Sequence, residues 1–373
     1  MKKRIISIAL VAGLCASMLA ACGKKQEEAP TVTTPVSDVS SVVSEAEPEP
    51  EPENNRNPLT GEVMDEKLVG QRPLTFMMSN DINARPQYGL SQADVIYEAP
   101  MEGEETRFML AFQDYSDLKL LMPSRSARHY FVYWARGLDS IYSHYGQSWL
   151  AKPKLSKIDD LNGMDGALGN VTYFRDPSRR MPHNAYTNTD GILAGIKLKN
   201  YDTEHKEGFE NGFVFNTDDE NEIELTDGEN AKVFDTGYYR ASAWFVYDKK
   251  DKVYKRYQWG EAHKDANNDK QLAVKNIIVQ TCDSSVADEK HGYLDVKVIG
   301  EGTGYYLTNG KAEKITWKKK KSGSPTHYYD EEGNEVVLNQ GKTWICAVKS
   351  DKMDRVGFYK TEDEMKEARN GQG

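Results

Sequence analysis

The sequence predicts a mixed α/β (α+β) fold, in which an N-terminal α/β half packs on a C-terminal, mainly antiparallel β half. Two observations predict this fold. Short apolar runs alternate with helical spacing of apolar residues in the first half, whereas strand pairs around tight turns fill the second half. The chain has 373 residues, which leaves room for two ordinary domains or one large one after a polar N-terminal region.

The first half covers residues 58–200 and combines strands with helices. Apolar runs bounded by Pro, Asn or Asp predict buried strands, and apolar residues three and four positions apart predict helices. Asn188 is a residue type that caps a following helix. The predicted strands lie at 74–78, 95–97, 108–112 and 141–145, and the predicted helices cover 126–138 and the stretch after Asn188.

The second half covers residues 236–350 and is rich in strand signals. Runs at 244–247 and 253–257 flank a polar turn. Asn309-Gly310 separates two further strands, because both positions of a tight hairpin turn need positive φ. An acidic, weakly periodic boundary segment at 201–235 precedes this half, and a tail at 351–373 follows it with a short helix predicted over 362–369.

The first 21 residues have the layout of a bacterial lipoprotein signal peptide. Lys2, Lys3 and Arg4 precede an apolar stretch that ends in Leu-Ala-Ala-Cys at 19–22. The pattern predicts cleavage before Cys22 and attachment of a diacylglyceryl group to it, and two or more acyl chains such as palmitate make a stable membrane anchor. The alternative is a transmembrane helix, for which the apolar stretch is short.

Residues 22–57 are predicted to form a disordered tether, which begins at Cys22, the predicted lipidation site. Pro, Ser and Glu dominate this segment, and such a composition cannot bury enough apolar surface to offset the entropy of ordering. Proline and repulsion between carboxylates keep such a tether extended. The sequence therefore predicts an extracytoplasmic protein, lipid-anchored to the cell membrane, whose folded body stands away from the lipid.

Charge and cysteine content exclude several classes of protein. The formal net charge is −10, and removal of the basic leader would make the remainder more acidic, so we expect no nucleic-acid partner. Cys282 and Cys346 lie in apolar, strand-like runs and form either a disulfide or two buried thiols. Neither cysteine has the spacing of a zinc ligand.

Arg125 and Arg128 are the first candidates for ligand binding. They stand at the start of the predicted 126–138 helix, with Ser126 as its N-cap. Guanidinium groups grip carboxylate or phosphate in two-point geometry, so the pair predicts an anion site. The alternative is that both arginines form structural ion pairs with carboxylates such as Asp114 or Glu98.

A polar loop at 173–184 and a histidine after a predicted strand are the next candidates. The loop carries Arg175, Arg179, His183 and Asn184, and polar residues concentrated in a long loop indicate function. His144 follows the predicted strand at 141–145 and is either a general base or a hydrogen-bonded loop histidine.

His263 and Asp265 are the candidates in the second half. If the halves pack together, His263 could complete a site with His144 and His183. Three histidines and Asp265 would also suit zinc, but the spacing lacks the short His-x-x-x-His pattern of helix-borne sites, so we predict neither metal nor cofactor. The sequence has no nucleophile elbow, phosphate-binding loop or dinucleotide fingerprint, which lowers the expectation of a standard enzyme.

Several short motifs together resemble the YerB-like bacterial lipoproteins, which pair an N-terminal and a C-terminal domain of unknown function. The resemblance covers most of 57–350 and implies a lipid-anchored, extracytoplasmic α/β protein of Gram-positive type, with no accepted activity or cofactor. The motifs are Asn-Pro-Leu-Thr-Gly at 57–61, Arg-Pro at 72–73, Asn-Ala-Arg-Pro-Gln at 83–87, the stretch 89–98, Arg-Ser-Ala-Arg at 125–128, Pro-His-Asn at 182–184, His-Lys-Asp at 263–265, Gly-x-Gly at 302–304 and Gly-Lys-Thr-Trp at 341–344.

Three functional hypotheses follow from these candidates. The first is a lipoprotein that binds an anionic cell-envelope ligand or partner through a cleft lined by the arginines and histidines above. The second is a cell-envelope hydrolase or transferase that uses His144, His183 and His263. The third is a scaffold for a membrane-bound protein complex. The sequence favours binding over catalysis, because no recognised nucleophile motif accompanies the arginines.

Overall fold

A computed structural model describes residues 55–371 of the chain. The predicted signal peptide, the lipidation site at Cys22 and nearly all of the predicted tether lie outside this range. The described residues belong to one compact unit. Within them, no helix has the length and apolar character needed to cross a bilayer.

The described chain contains many short strands and few helices. The helices are α1 (His129–Gly137), α2 (Lys152–Leu155), α3 (Gly166–Thr172), α4 (Thr189–Lys199) and α5 (Glu362–Gly371). The strands are β1 (Leu74–Asn80), β2 (Val95–Pro100), β3 (Thr106–Phe112), β4 (Ile141–His144), β5 (Asp160–Asn162), β6 (Phe174–Arg175), β7 (Ala185–Tyr186), β8 (Val214–Phe215), β9 (Glu229–Asn230), β10 (Val233–Asp235), β11 (Trp244–Asp248), β12 (Val253–Gln258), β13 (Glu261–Ala262), β14 (Ala273–Val274), β15 (Asn276–Cys282), β16 (Ser284–Asp288), β17 (Tyr293–Val296), β18 (Gly300–Thr308), β19 (Lys311–Lys319), β20 (His327–Tyr329), β21 (Val337–Leu338), β22 (Thr343–Lys349) and β23 (Gly357–Tyr359).

One central sheet contains strands from both halves of the chain. Its order is β20-β19-β18-β15-β22-β2-β3-β1-β4-β5, with β9 beside β19. Strand β22 of the second half pairs in parallel with β2 of the first half, in a register that runs from Val95 opposite Thr343 to Glu98 opposite Cys346. The predicted mixed α/β fold is confirmed, but the halves are joined by backbone hydrogen bonds within one sheet rather than packed only through side chains.

Besides the hairpin strand β19, six strands of this sheet run in the same direction. Strands β1, β4 and β5 are mutually parallel, as are β2, β22 and β15, while β3 is antiparallel to both β1 and β2. Their carboxyl ends therefore lie along a single edge of the sheet, which we call the carboxyl edge. In open α/β sheets, ligands bind in the crevice outside these strand ends.

Alternating side chains place a hydrophobic core on each face of the central sheet. On one face, Phe76 and Phe108 pack with Phe234 and Phe245 of a second, six-stranded sheet that contains β10–β14 and β23. On the other face, the core includes Met77, Tyr97, Met109 and residues of α1 such as Tyr130 and Trp134. Successive side chains of a strand point to opposite faces, so strands buried on both faces are apolar along most of their length.

The same alternation explains the state of the two cysteines. Cys346 belongs to the core on one face, and Cys282 belongs to the core on the other face. Both are buried free thiols. Of the two alternatives that the sequence left open, the structure therefore has the pair of thiols, because a sheet separates their side chains.

Most predicted elements occur where the sequence placed them. The Asn309-Gly310 turn has positive φ at both residues and joins β18 to β19, and the Asn188 side chain accepts a hydrogen bond from Gly191 N (3.0 Å) at the start of α4. The predicted start of the 126–138 helix is wrong, because α1 begins at His129. Ser126 instead donates its hydroxyl hydrogen bond to Tyr145 O (3.1 Å), since the preceding segment runs alongside 144–148.

Gly304 offers a test of the central sheet. A Cβ atom at this position would lie 2.0 Å from the carbonyl oxygen of Val279 on the paired strand, so the backbone itself would have to move. We expect Gly304→Ala to lower the free energy of unfolding by about 1–3 kcal/mol, measured by urea denaturation.

The matched control is Gly70→Ala, because nothing lies within 4 Å of a Cβ at Gly70. We expect this control to change the free energy of unfolding by less than about 0.5 kcal/mol. Equal effects of the two substitutions would contradict the close approach of β18 to β15.

Candidate functional site

Three arginines meet at the carboxyl edge, and we call them the arginine cluster: Arg107, Arg125 and Arg128. Arg107 lies at the start of β3, opposite Ser79 of β1. Arg125 and Arg128 come from the extended segment before α1, which is held to the end of β1 by a hydrogen bond from Arg125 N to Met77 O (3.0 Å). The sequence analysis predicted Arg125 and Arg128 as ligand-binding residues and did not identify Arg107.

The cluster holds positive charge in a poorly solvated place. Burial lowers the pKa of Arg107 well below its ordinary value, and the charges of Arg128 and Arg125 lower it further. Burial and Arg128 also lower the pKa of Arg125. Arginine stays protonated in proteins, so these directions mean that each cation is destabilised by its surroundings. A bound anion would relieve that destabilisation.

Arg125 is the member with the most unused hydrogen-bond donors, and Arg128 Nε is also buried without an acceptor among the described residues. The Nε and Nη1 atoms of Arg125 are buried and have no acceptor among the described residues. Arg107 donates instead to Ser126 O (2.6 Å), and Arg128 donates to Ala127 O (3.2 Å) and lies over the ring of Tyr293, 4.7 Å from its centroid. Buried donors without acceptors are rare in folded proteins and mark places where a partner binds.

Glu102 is the nearest counter-charge. It forms an ion pair with Arg128 Nη2, and its second oxygen, Oε2, is buried without a partner in the described part of the chain. Burial alone would raise the pKa of Glu102, but the charge and hydrogen bond of Arg128 lower it overall. The carboxylates of Asp81 and Glu102 both act on Arg125, and Asp81 has the larger effect, so three guanidinium groups face two carboxylates. The sequence alternative had named Asp114 or Glu98 as ion-pair partners, and neither pairs with the cluster.

His183 lies beside the cluster. Its Nδ1 atom is buried and lacks a partner among residues 55–371. Burial lowers the pKa of His183, and the nearby charge of Arg125 lowers it further, so the imidazole is neutral at pH 7. The hydrogen bond from Ser124 N to Ala185 O (2.8 Å) brings this loop to the arginine segment.

The other predicted ligand-binding residues of the 173–184 loop already have hydrogen-bond partners. Arg175 donates to Asn184 Oδ1 (2.6 Å) and to the Tyr145 hydroxyl (2.8 Å). Arg179 donates to the carbonyl oxygens of Ala84, Arg85 and Pro86. Arg175, Arg179 and Asn184 therefore hold the loop in place around the cluster, and a ligand would compete with these bonds.

His144 lies at the end of β4 and is completely buried. Its Nδ1 is 2.8 Å from Gly146 O, and its Nε2 is 3.0 Å from Asp160 Oδ2. Because both ring nitrogens are engaged, the geometry matches the hydrogen-bonded loop histidine that the sequence left as an alternative to a base.

His263 belongs to a buried polar network on the opposite face of the sheet, which we call the Glu98–Arg256 network. Arg256 Nη2 donates to both oxygens of Glu98 (3.1 and 2.9 Å), and both side chains are fully buried. Arg256 Nη1 lies 2.7 Å from His263 Nδ1, and His263 Nε2 lies 2.7 Å from Gln87 Oε1. Arg256 is a donor only, so Nδ1 accepts and Nε2 carries the proton.

Asp265 connects the halves of the chain at a neighbouring point. Its carboxylate accepts from the backbone N–H groups of Gly89 (2.9 Å) and Ser91 (2.8 Å), and from the Ser91 hydroxyl. Asp265 is fully buried, and its bonds fix the second half to the segment before β2.

The predicted site residues therefore fall into two groups. The loop with His183 surrounds the arginine cluster, with His144 buried at the end of the adjacent strand β4, whereas His263 and Asp265 join the two halves. The three imidazoles have no hydrogen-bond partner in common among residues 55–371. Within that same range, no group of three or more His, Cys, Asp or Glu residues is arranged to hold a metal ion.

For the Glu98–Arg256 pair, we expect a single substitution to cost more free energy of unfolding than the matching double substitution. We expect Glu98→Leu to lower the free energy of unfolding by about 3–5 kcal/mol, because it leaves Arg256 buried and uncompensated. The double variant Glu98→Leu with Arg256→Met should recover a substantial part of that loss, as chemical denaturation would show.

Lys264→Ala supplies the comparison at the surface. It breaks an exposed ion pair with Asp269 and should cost less than about 1 kcal/mol. If the double variant loses as much free energy of unfolding as the two single variants added together, Glu98 and Arg256 are not coupled as a buried pair.

Because His263 is buried, we expect the folded protein to lose stability in mild acid. Burial and the charge of Arg256 hold its folded-state pKa well below the unfolded value of about 6.5. Below pH 6.5 the unfolded chain binds a proton that the folded chain excludes, so stability falls as pH falls. We expect His263→Gln, which keeps an acceptor and a donor, to reduce this slope by up to about 1.4 kcal/mol per pH unit.

The measurement is the free energy of unfolding by urea from pH 7.5 to 5 for both proteins. Burial also lowers the pKa of His129 and His183, so the variant should keep part of the slope. Identical pH profiles for the two proteins would show that His263 exchanges no proton on unfolding.

Comparisons with known proteins give consistent results for both halves of the chain. Residues 59–202 match the family model described as "Protein of unknown function (DUF3048) N-terminal domain". Residues 233–345 match the model of the corresponding C-terminal domain. Neither description states an activity.

One curated relative and one solved structure show the same similarity. The "Putative lipoprotein YerB" of Bacillus subtilis (strain 168) is 32% identical over 296 residues, which cover 78% of this chain and 85% of the relative. The crystal structure of YerB protein from Bacillus subtilis superposes with a TM-score of 0.70 at 31% identity, covering 82% of this chain and 99% of that one. The chain therefore belongs to the YerB-like family that is defined by the paired DUF3048 N- and C-terminal domains.

Proposed function

We propose that this chain is a membrane-anchored extracytoplasmic lipoprotein that binds an anionic group at the arginine cluster. The Leu-Ala-Ala-Cys sequence at 19–22 supports lipidation of Cys22 after removal of 1–21. The similarity to the "Putative lipoprotein YerB" of Bacillus subtilis supports the same anchor. The acidic, proline-rich segment that follows would let the folded body reach envelope material.

The unused donors of Arg125 are the observation that carries the binding proposal. Two buried nitrogens of one guanidinium group lack acceptors among the described residues, beside two further arginines. A planar guanidinium group matches the two oxygens of a carboxylate or phosphate, and such charge-assisted pairs are stronger than neutral hydrogen bonds. The carboxyl edge is also where this class of sheet binds its ligands.

The position of His183 fits an anion as well. Its neutral imidazole lies beside Arg125, with Nδ1 buried and lacking a partner in residues 55–371. An incoming phosphate or carboxylate would lower the local positive potential and so favour protonation of the ring. Binding would then be accompanied by proton uptake at His183.

His183 is also the observation that favours the second candidate function, a cell-envelope hydrolase or transferase. Of the three predicted catalytic histidines, His183 has an unengaged buried nitrogen, while both nitrogens of His144 and of His263 are bonded. General acid/base catalysis needs such a free nitrogen within reach of substrate. Loss of turnover of an envelope substrate in His183→Gln, with anion binding retained, would support this function over binding alone.

The third hypothesis, a scaffold for a membrane-bound complex, would instead predict a stoichiometric partner.

The test of anion binding is thermal unfolding of the full-length chain with inorganic phosphate or citrate at constant ionic strength. We expect each anion to raise the melting temperature in a saturable way, by mass action on the folded state. Arg125→Met should abolish this rise. It should also stabilise the anion-free protein by about 1 kcal/mol, because it removes buried donors that lack acceptors.

Arg240→Met is the matched control, since the Arg240 side chain is 59% exposed and its nearest carboxylate oxygen is 4.0 Å away. This variant should respond to anions as the unmodified chain does. A full anion response in Arg125→Met, together with a lower melting temperature without anion, would reject the proposed site.

A further inference from the structure

A second cleft lies between the halves, away from the arginine cluster. Its volume is about 460 Å³, within the range of small-ligand pockets, about 300–1,000 Å³. One wall is the segment 82–87 of the first half, and the other is the hairpin of β12 and β13 in the second half. We call it the hairpin cleft.

The turn of this hairpin contains an unfavourable residue. Gln258 pairs with Glu261, so Trp259 and Gly260 form a two-residue turn, and their φ angles are +52° and +83°. The Asn309-Gly310 turn of the same protein has nearly the same angles, +49° and +76°. Asparagine and glycine tolerate positive φ, whereas a bulky aromatic residue is strained there. Trp259 is therefore poorly suited to the turn that it occupies.

Trp259 lines the cleft instead of joining a core. It is absent from the buried hydrophobic clusters of the described chain, and the guanidinium group of Arg85 lies over one face of its indole, 5.0 Å from the ring centroid, which leaves the other face for a ligand. Backbone strain that persists without a packing gain points to function. An indole at the mouth of a cleft provides a flat apolar surface with one polar N–H group.

The floor of the hairpin cleft is rigid and polar. Gln87, Gln258 and His263 line it, and all three are at least nine-tenths buried. Arg256 fixes two of them by donating from Nη1 to Gln258 Oε1 (2.6 Å) and to His263 Nδ1. Gln258 Nε2 is buried and has no acceptor in the described residues, so one amide donor remains for a ligand.

The charges around the hairpin cleft are already compensated. Arg85 forms an ion pair with Glu261 across the cleft, and Lys264 pairs with Asp269. Burial and the charge of Arg256 lower the pKa of His263, which keeps its ring neutral. The cleft therefore differs from the arginine cluster, because it has no excess charge to attract an anion.

We propose that the hairpin cleft binds a neutral saccharide, such as a hexose or N-acetylhexosamine unit. A pyranose ring has an apolar C–H face that packs on an indole, and hydroxyl or acetamido oxygens that accept from an amide donor. The rim supplies a complementary pair: Arg85 Nη1 donates to Glu261 Oε1. The remaining N–H groups of Arg85 would donate to sugar hydroxyl oxygens, and the second carboxylate oxygen of Glu261 would accept from a sugar hydroxyl group. The hairpin cleft thus combines a flat apolar wall, fixed polar groups and no excess charge. These three features together suit a neutral saccharide.

The experiment measures saturation-transfer NMR and tryptophan fluorescence of the full-length chain with N,N′,N″-triacetylchitotriose and with maltotriose. We expect saturable binding of at least one of these, with transfer strongest to the ring C–H protons. Trp259→Asn should weaken binding at least tenfold while melting no lower than the unmodified chain, because asparagine suits the turn. Gln258→Glu keeps the acceptor for Arg256 but removes the free N–H group, and should also weaken binding.

Two controls separate this proposal from the others. Trp149→Ala removes another tryptophan, 56% exposed and outside the hairpin cleft, and should leave binding unchanged. Arg125→Met should abolish the response to phosphate but not to saccharide, so failure of one site is distinguishable from failure of the other. The proposal is overturned if neither saccharide saturates the folded protein, or if Trp259→Asn binds as tightly as the unmodified chain.

Discussion

The Glu98 carboxylate and the Arg256 guanidinium group meet in the interior, and the rest of the structure is arranged around their contact. Glu98 comes from β2 of the first half and Arg256 from β12 of the second, so the pair links the central sheet to the second sheet. Trp344 on β22 donates its indole N–H to Glu98 Oε2 (3.1 Å), and the Arg256 guanidinium group lies 4.5 Å from the Trp344 ring centroid. Two buried charges tolerate this environment when they pair with each other and most of their hydrogen bonds are made, as here, where Arg256 Nε alone of the pair's buried polar atoms lacks a partner among the described residues. The pair therefore specifies how the halves fit together.

Local sequence signals predicted the elements of this fold but not their assembly. Apolar runs identified β1, β2 and β3, and Asn309-Gly310 identified its hairpin, because burial and turn conformation act within a few residues. The pairing of β2 with β22 brings Val95 opposite Thr343. No local sequence pattern indicates a pairing partner so distant in the chain. The start of α1 was misplaced for a related reason. Pairing of Ala127 with Gln147 holds the preceding segment extended, although Ser126 alone suits an N-cap.

The candidate site was partly visible in the sequence. Arg125 and Arg128 stood out because two arginines lie three positions apart beside a residue suited to an N-cap, whereas Arg107 is a single arginine directly before the predicted strand at 108–112 and belongs to no polar motif. The hydrogen bond between His144 and Asp160 depends on tertiary structure, so the residues around His144 in the sequence do not reveal it. Trp259 could have been recognised beforehand, since a tryptophan directly before glycine between two strand-like runs conflicts with the usual turn residues. Violations of a local rule of this kind are the most useful signals for function.

The position of β22 in the middle of the central sheet has a consequence for how the chain folds. Thr343–Lys349 is the last long strand in sequence, yet it fills the space between β2 and β15. Until these residues have joined the sheet, the strands on either side of the gap present open edges, and open edges are templates for aggregation. Contacts of such long sequence separation also form slowly. Folding of this protein is therefore completed only once β22 is available to enter the sheet, and a factor that shields the strands on either side until then would raise the yield.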